Sequence, residues 1–408
     1  MAGGAQPVSR REAMKIALKG SAYAAPVVLS AIVPPAVAAG SPVLLTFASA
    51  PGSPFAVGNR PVDIVVGDFN KDGKLDFAVT NVGSNTVSVL LGDGRGGFTD
   101  APGSPIPVGS FPVGIAVGDF NRDGNLDLAV TNVSSNTVSV LLGNGSGGFT
   151  AAPGSPFVVD FGPEGIAVGD FNGDGKPDLA ILTYQGGNHV SVLLGDGSGG
   201  FINAPSSPFN VGIGAVSIAV GDFNGDGNLD LAVPNQGSNT VSVLLGNGSG
   251  GFSDAPGSPI PVGNFPIGIA VGDFNRDGKL DLAITNKATR FSSLTVTSNV
   301  SVLLGNGKGG FTAAPGSPFN VGNQPIGIAV GDFNGDRKLD LAVANTRGNN
   351  VSVLLGDSSG GFRNAPGSPI SVGNLPVDIV VGDFNGDGKL DFAVTNSLGN
   401  TVSVLLQQ

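Results

Sequence analysis

Short runs of small and branched apolar residues recur along the chain and are separated by segments rich in Gly, Asp, Asn and Pro. In one stretch these runs cover residues 114–118, 126–130, 137–142 and 149–158. Apolar runs of this length that are bounded by turn residues are typical of β-strands. The pattern therefore predicts a unit of four strands joined by tight turns.

This unit repeats along nearly the whole chain. The Asp that follows the first run falls at positions 68, 119, 170, 222, 273, 332 and 383, so successive units are 51, 51, 52, 51, 59 and 51 residues apart. A period this long that is filled by strands predicts the blades of a propeller. The first run is the most uniformly apolar and is expected near the axis. The fourth run contains prolines and is expected at the outer edge.

The two ends of the array are compatible with a closed ring. Residues 401–406 form a third run with no fourth run after it, and residues 44–55 match the fourth run of other units. We therefore expect the N-terminal segment to complete the last blade, which leaves only short, protected edges. The predicted fold class is all-β, a seven-bladed β-propeller of four-stranded antiparallel blades over residues 39–408.

The turn between the first and second runs carries the candidate chemistry. It reads Asp-Phe-Asn-x-Asp-Gly-x-x-Asp in every unit, except that Arg337 replaces the Gly in the sixth. The side chains at positions one, three, five and nine are hard oxygen donors, which suit Ca²⁺, and position seven can offer its carbonyl. The Gly allows the sharp bend of the loop. A plain Asx turn is the alternative interpretation.

The loop differs from an EF-hand, because Val79 and other apolar residues occupy position twelve, where that loop needs Glu. We expect up to seven structural Ca²⁺ ions, one per blade, with a weak or empty site in the Arg337 loop. The candidate ligands are the residues at positions one, three, five, seven and nine of the seven loops: Asp68, Asn70, Asp72, Lys74, Asp76; Asp119, Asn121, Asp123, Asn125, Asp127; Asp170, Asn172, Asp174, Lys176, Asp178; Asp222, Asn224, Asp226, Asn228, Asp230; Asp273, Asn275, Asp277, Lys279, Asp281; Asp332, Asn334, Asp336, Lys338, Asp340; Asp383, Asn385, Asp387, Lys389, Asp391.

The acidity of the chain comes mainly from these loops. The net charge is −11, and residues 1–38 carry a net +3, which leaves −14 for the remainder. Of the 30 acidic residues in that remainder, 21 are loop aspartates. The scattered Lys and Arg form no basic stripe, so we expect no nucleic-acid partner. The absence of Cys excludes disulfides and thiolate metal sites.

The repeat resembles the FG-GAP or VCBS repeat, the calcium-binding blade of integrin α-subunit heads and of many bacterial surface proteins. The loop residues Asp68, Asn70, Asp72, Gly73 and Asp76 carry the resemblance, together with Gly97-Phe98 ahead of Ala101-Pro102. The resemblance covers residues 41–408 and implies a calcium-binding propeller. It indicates activity only weakly, because the family includes adhesion heads, lectins and domains attached to enzymes.

The N-terminal residues 1–38 are interpreted as an export signal. Arg10 and Arg11 resemble a twin-arginine motif, an apolar run follows from Ala22 to Val37, and Ala36-Val37-Ala38 resembles a cleavage site. A membrane anchor or a disordered arm is the alternative. Prolines interrupt the run, and it is short for a membrane span. We therefore expect an exported protein that is periplasmic, on the cell surface or extracellular, without a stable membrane span, and a monomer.

The face opposite the loops is where the units differ, and variable loops commonly carry binding. The expected role is a non-catalytic binding or adhesion scaffold for a protein or cell-surface polymer. The segments that differ most are residues 184–189, residues 287–295, and the inter-blade residues Phe111, Phe161, Phe265 and Glu164. Loop drift without a ligand is the alternative.

Two other functions stay open. A carbohydrate-binding lectin is disfavoured by the lack of Trp and the presence of only two Tyr. A hydrolase or lyase would need paired carboxylates, for which Asp63, Asp378, Asp160 and Glu164 lie near the central face. His189 is the single histidine, so no His cluster can hold a transition metal. We expect no catalytic residues.

Overall fold

The computed structural model describes residues 45–183, 188–287 and 298–408. These residues form seven antiparallel sheets and no helix. A membrane-spanning helix is therefore absent from this part of the chain. The innermost strand of each sheet contacts the innermost strands of the two neighbouring sheets, and the last sheet contacts the first. The predicted seven-bladed propeller is confirmed. The proposed export signal lies outside the described residues.

Each blade contains three strands of six or seven residues, except for a three-residue inner strand in the fourth blade, and an outer strand in two short pieces. The inner strands are β3 (Pro61–Gly67), β8 (Pro112–Gly118), β13 (Pro163–Gly169), β18 (Ala219–Gly221), β23 (Pro266–Gly272), β28 (Pro325–Gly331) and β33 (Pro376–Gly382). The second strands are β4 (Asp76–Asn81), β9 (Asp127–Asn132), β14 (Asp178–Thr183), β19 (Asp230–Asn235), β24 (Asp281–Asn286), β29 (Asp340–Asn345) and β34 (Asp391–Asn396). The third strands are β5 (Thr86–Gly92), β10 (Thr137–Gly143), β15 (His189–Gly195), β20 (Thr240–Gly246), β25 (Asn299–Gly305), β30 (Asn350–Gly356) and β35 (Thr401–Gln407).

The outer strands begin with β1 (Phe47–Ser49), β6 (Phe98–Asp100), β11 (Phe149–Ala151), β16 (Phe201–Asn203), β21 (Phe252–Asp254), β26 (Phe311–Ala313) and β31 (Phe362–Asn364). Their second pieces are β2 (Phe55–Ala56), β7 (Ile106–Pro107), β12 (Phe157–Val158), β17 (Phe209–Asn210), β22 (Ile260–Pro261), β27 (Phe319–Asn320) and β32 (Ile370–Ser371).

The split of the outer strand differs from the prediction of one continuous fourth strand. In the first blade, β6 and β7 both pair with β5, and the segment between them leaves the ladder. The gap is closed at Val89, whose carbonyl accepts a hydrogen bond from Ala101 N at 2.9 Å, while its N–H donates to Ser104 Oγ at 3.0 Å. The serine hydroxyl thus accepts the hydrogen bond that a backbone carbonyl would accept from Val89 N–H in a continuous outer strand.

The ring closes as predicted. Both β1 and β2 pair antiparallel with β35, so the N-terminal segment forms the outer edge of the last blade. The hydrophobic core is divided into seven clusters, most of which lie between two neighbouring blades. For example, Phe69 and Val89 of the first blade pack with Leu128 and Leu141 of the second. The blades are therefore stabilised by each other as well as by their own ladders.

Candidate functional site

The seven acidic loops join the first and second strands of their blades, and they lie on the same face as the turns between the third and fourth strands. The second loop residue, Phe69, marks this arrangement. Its side chain is buried, and its ring packs edge-on against Phe149 of the next blade at 5.6 Å between centroids. Its carbonyl accepts a hydrogen bond from Gly147 N, in the outer turn of that blade, at 3.1 Å. Each loop is thus anchored in the inter-blade contact.

The first, third and fifth side chains of the loop bind the loop's own backbone. In the first loop, Asp68 accepts hydrogen bonds from the N–H groups of Asp72 at 3.1 Å and Gly73 at 2.9 Å. Asn70 Oδ1 also accepts from Asp72 N at 2.9 Å, and Asp72 Oδ1 accepts from Lys74 N at 3.0 Å. The other loops repeat these bonds closely. They are the Asx turns expected of Asp and Asn in tight loops.

The ninth aspartate has a structural role that the sequence did not indicate. Asp76 is fully buried; its Oδ2 accepts from Phe69 N at 2.8 Å, and its Oδ1 accepts from Gly92 N at 2.8 Å. One carboxylate thus joins the start of the loop to the end of the third strand. All seven ninth aspartates make the equivalent two bonds, the last of them to Gln407 N. The carboxylate at this position therefore has a reason to be present even without an ion.

Burial raises the pKa of the carboxyl group of the ninth aspartate in every loop. Burial raises the pKa of Asp76 to about 6, and the charges of Asp68 and Asp72 also raise it. The same cause raises the pKa to about 6, 7 or 8 at the equivalent residues Asp127, Asp178, Asp230, Asp281, Asp391 and Asp340. Three clustered carboxyls per loop therefore carry an unfavourable concentration of negative charge, which protons or a cation can relieve.

In five loops a lysine provides part of this compensation. Lys74 Nζ lies 3.1 Å from Asp72 Oδ2, and the equivalent Lys–Asp distances in the other four loops are 3.0, 3.1, 3.0 and 4.0 Å. Asn125 and Asn228 occupy this position in the remaining two loops. There, the fifth aspartate accepts a hydrogen bond from the third residue of the loop, such as Asn121 Nδ2 at 3.0 Å. The fifth carboxylate of each loop therefore has a side-chain partner, a lysine ammonium in five loops and an asparagine amide in the other two.

The sixth loop keeps the conformation of the others despite its substitution. Arg337 has a φ of 68°, close to the 83° of Gly73 in the first loop, and its N–H donates to Asp332 Oδ2 at 2.7 Å. A side chain in the left-handed region is strained, so the arginine costs stability without changing the path of the loop. This loop is also more buried, because only 7% of Asp332 is exposed.

The structure places all predicted ligand residues in these seven loops or at the first residue of the strand that follows. Within residues 45–183, 188–287 and 298–408, no three His, Cys, Asp or Glu side chains are gathered in an arrangement ready to hold a metal ion. The donors are chemically suited to Ca²⁺, but the first and fifth carboxylates are held by the loop's own N–H groups. Binding would use their remaining lone pairs.

On the opposite face, two inner-strand acids of neighbouring blades lie together. Asp63 and Asp378 are joined by a side-chain hydrogen bond, and burial raises the pKa of both. Asp63 Oδ2 also accepts from Ile115 N at 2.9 Å, and Asp378 Oδ2 accepts from Ile64 N at 3.4 Å. These bonds connect three successive inner strands. Burial also raises the pKa of Glu164 to about 7.

The predicted variable segments are described only in part. Residues 184–187 and 288–297 lie outside the described residues. His189 is described, and its Nε2 lies 3.1 Å from Asp160 Oδ2. Ser191 Oγ donates to the same oxygen at 3.0 Å. The sequence drew attention to Asp160 and His189 separately but gave no sign that they meet. Of the inter-blade phenylalanines named from the sequence, Phe111 and Phe161 are exposed, and Phe265 is half-buried.

The fold and loops define a class, a seven-bladed propeller with one acidic Asx-rich loop in each blade. Comparison with known families gives the family. The FG-GAP-like repeat matches six times, over residues 68–130, 123–181, 170–233, 222–284, 291–343 and 332–394. The chain belongs to the FG-GAP-like repeat family, as its motifs indicated. No curated protein matches the chain in sequence.

Solved structures share the fold at low sequence identity. BBS1N, solved in complex with ARL6DN, has a TM-score of 0.55 and 14% identity over 90% of this chain and 98% of its own. A functionally unknown protein from Desulfotomaculum acetoxidans has a TM-score of 0.54 and 14% identity over 81% and 98%. A catalytically inactive virginiamycin B lyase from Staphylococcus aureus, solved with quinupristin, has a TM-score of 0.51 and 16% identity over 88% and 98%. These likenesses concern the fold alone.

Proposed function

We propose that this protein is an exported, calcium-binding propeller that acts as a non-catalytic binding or adhesion scaffold. One observation carries the proposal: the ring gathers all seven acidic loops on one face, away from the face where the blades differ. The fold supports a scaffold role, and BBS1N is a propeller of similar fold in a complex with another protein. The expected partner is a protein or a cell-surface polymer that contacts the face opposite the loops.

Calcium is proposed from the chemistry of the loops. In each loop the oxygens of three Asp and one Asn lie within nine residues, and the residue at position seven adds a carbonyl. A bound Ca²⁺ would supply the positive charge that the clustered carboxylates lack. Asp68 and Asp72 would hold it in the first loop, and Asp76 would keep its two backbone bonds while it contributes charge. The ion would therefore stabilise the blade and take no part in a reaction.

The metal proposal is tested by counting ions. Native mass spectrometry of the protein in micromolar Ca²⁺ should give up to seven bound ions per chain. The double variant Asp68→Asn/Asp72→Asn should lose one ion, whereas Asp100→Asn, which changes an exposed acid outside the loops, should lose none. A metal-free particle at millimolar Ca²⁺ would refute the proposal.

The scaffold role is tested on cells. Washed cells of the source organism are incubated with labelled protein, and the retained label is measured with and without Ca²⁺. Phe111→Ser, on the face opposite the loops, should reduce retention. Lys71→Ser, on the loop face, should leave it unchanged. Equal retention of both variants and wild type, or none at all, would count against a binding surface on this face.

The hydrolase or lyase alternative would use the central acids. The pairing of Asp63 with Asp378 places two carboxyls in direct hydrogen-bond contact, whereas glycoside hydrolysis needs them roughly 5–9.5 Å apart. Their oxygens also accept hydrogen bonds from Ile64 and Ile115, which favours a structural role in joining the inner strands. The lectin alternative would need exposed aromatic side chains in each blade. Among the large apolar side chains exposed in the described residues, only Phe111 and Phe161 are aromatic.

A further inference from the structure

A polar cluster at the end of the second strand uses the same Asn, Ser and Gly in six blades, and its fourth member is Thr in four of them and Asn in the other two. In the first blade, Asn81 Nδ2 donates to Thr86 Oγ1 at 3.2 Å and to Ser88 Oγ at 3.0 Å. Ser88 Oγ in turn accepts from Gly58 N, in the preceding inter-blade link, at 3.2 Å. A Cβ atom on Gly58 would lie only 2.6 Å from Asn81 Cγ. Any larger residue than glycine at position 58 would therefore clash with the side chain of Asn81.

The third blade changes the cluster at three positions at once. Thr183 replaces the asparagine, His189 replaces the threonine, and Asp160 replaces the glycine. In the other six blades a Cβ on that glycine would lie 2.5 or 2.6 Å from the asparagine Cγ. The smaller threonine removes this obstruction, and the side chain of Asp160 enters the space. The three substitutions are physically coupled, because Asp160 could not replace glycine while the asparagine remained.

Asp160 and Ser191 border a cavity between the second and third blades. It has a volume of about 230 Å³ and is lined by Val158, Val159, Asp160, Ser191 and Asn203. Asp160 Oδ2 is held by His189 and Ser191, while 54% of the Asp160 side chain is exposed. No hydrogen bond to Oδ1 is found among the described residues, and no Lys or Arg lines the cavity. Asp160 is therefore an oriented carboxylate that lines the cavity, and its side-chain partners among the described residues are His189 and Ser191.

We propose that this cavity binds an organic cation, a guanidinium or primary ammonium group at the end of a short alkyl chain. Such a group can donate to Asp160 Oδ1, and Asn203 can accept a further hydrogen bond. The volume favours an organic cation over a bare metal ion, because a cavity of roughly 150 Å³ already accommodates a ligand the size of benzene. The same chemistry is offered by a free amine metabolite and by an Arg or Lys side chain of a partner. The inference goes beyond the scaffold role and does not rest on it.

The test uses the full chain in millimolar Ca²⁺ and two cationic probes, agmatine for the free amine and the capped peptide acetyl-Gly-Arg-Gly-amide for a partner side chain. Binding is measured by isothermal titration, with butylurea and acetyl-Gly-Gln-Gly-amide as uncharged comparators. We expect at least one cationic probe to bind at least tenfold more tightly than its comparator. Tighter binding of agmatine indicates a metabolite, and tighter binding of the peptide indicates a partner side chain.

Three variants separate this site from general attraction to an acidic protein. Asp160→Asn keeps the shape of the side chain and should weaken cation binding at least tenfold. The triple variant Thr183→Asn/His189→Thr/Asp160→Gly restores the arrangement of the other blades, so it should fold and abolish binding. Asp254→Asn, at the outer edge of the fourth blade, should leave binding unchanged. Undiminished binding in the Asp160 variants, equal binding of the uncharged comparators, or no binding of either cationic probe would overturn the proposal.

Discussion

Removal of divalent ions should destabilise the protein in a manner that depends on pH. The perturbation is exhaustive dialysis against a chelator, followed by transfer to metal-free buffers. The ninth aspartate of each loop decides the outcome, because it is buried and lies near two other carboxyls. In the folded, metal-free chain the pKa of Asp76 rises from 3.8 to about 6.

The size of the effect follows from this shift. One pKa unit corresponds to 1.36 kcal/mol, so a rise of about two units represents about 3 kcal/mol for one site. The folded chain holds this proton more tightly than the unfolded chain does. The stabilisation is therefore fully present below the unfolded pKa near 3.8 and is lost as the pH rises through about 6. At Asp340, where the folded pKa is about 8, the loss continues to about pH 8.

Several such sites act together. Even three losses of about 3 kcal/mol would match the net stability of a typical domain, which is roughly 5–15 kcal/mol. The fifth aspartates act in the opposite sense at lower pH. Slight burial raises the pKa of Asp72, but hydrogen bonds and charge from Lys74 outweigh it and lower the pKa below 3.8. Its contribution is lost only as the pH falls below that value, so between pH 4.5 and 7.5 the stability changes through the acids whose pKa is raised. These are the seven ninth aspartates together with Asp332, Glu164 and the Asp63–Asp378 pair, which all act in the same direction.

The assay is thermal unfolding by circular dichroism at pH 4.5 and 7.5, with and without 1 mM Ca²⁺, at constant ionic strength. The metal-free protein should melt at least 10 °C lower at pH 7.5 than at pH 4.5. Calcium should raise the melting temperature strongly at pH 7.5 and less at pH 4.5, where a proton already neutralises the ninth aspartate of each loop. Equal melting with and without Ca²⁺ at pH 7.5 would refute the calcium proposal. A metal-free protein that became more stable with rising pH would refute the electrostatic reasoning itself.

Two further predictions concern single features. Arg337→Gly should stabilise the protein by about 1 kcal/mol, because glycine adopts the left-handed φ without strain. Gly73→Arg should destabilise it by a similar amount. A Cβ at Gly73 would meet no atom within 4 Å, so the cost would come from its φ of 83° alone. Chemical denaturation measures both, and effects of the same sign would contradict the reasoning. Asp378→Asn should raise stability at pH 8 by roughly 1 kcal/mol, because an amide can donate to Asp63 without a shared proton. Because the pKa of both acids is raised, the wild-type protein loses stability as the pH rises. The variant should therefore be no more stable than wild type near pH 4. An equal gain in stability at pH 4 and pH 8 would contradict the pairing.

The repeat pattern predicted the blades, their strand order and the closure of the ring, because each of these follows from apolar runs and turn residues. It did not predict the split outer strand. The runs at residues 98–107 read as one strand, and only the structure shows Ser104 replacing a backbone acceptor for Val89 N. The sequence also suggested that a carboxylate at the ninth position indicates an ion. The two backbone bonds of Asp76 supply a second reason, which depends on contacts between residues 16 positions apart.

The coupled change in the third blade was beyond sequence reasoning for a similar cause. The sequence analysis named Asp160 and His189 for separate reasons and did not single out Thr183. Their connection is steric, because the space for Asp160 exists only where the asparagine is missing. Repeated units make such coupling visible once coordinates are available, since six blades act as internal controls for the seventh.

The same logic explains how the loops contribute to the whole ring. The phenylalanine after the first loop aspartate donates its N–H to the ninth aspartate, buries its ring between blades, and accepts a hydrogen bond from the outer turn of the next blade. This last bond recurs between several blades, for example from Gly199 N to Phe120 O and from Gly250 N to Phe171 O. At the ring closure, Gln407 Nε2 donates to Phe333 O instead. A proton or an ion that stabilises one loop therefore also strengthens the contact between its blade and the next blade. Loss of this charge compensation should loosen the contacts between blades before it disrupts the hydrogen-bond ladders within each blade.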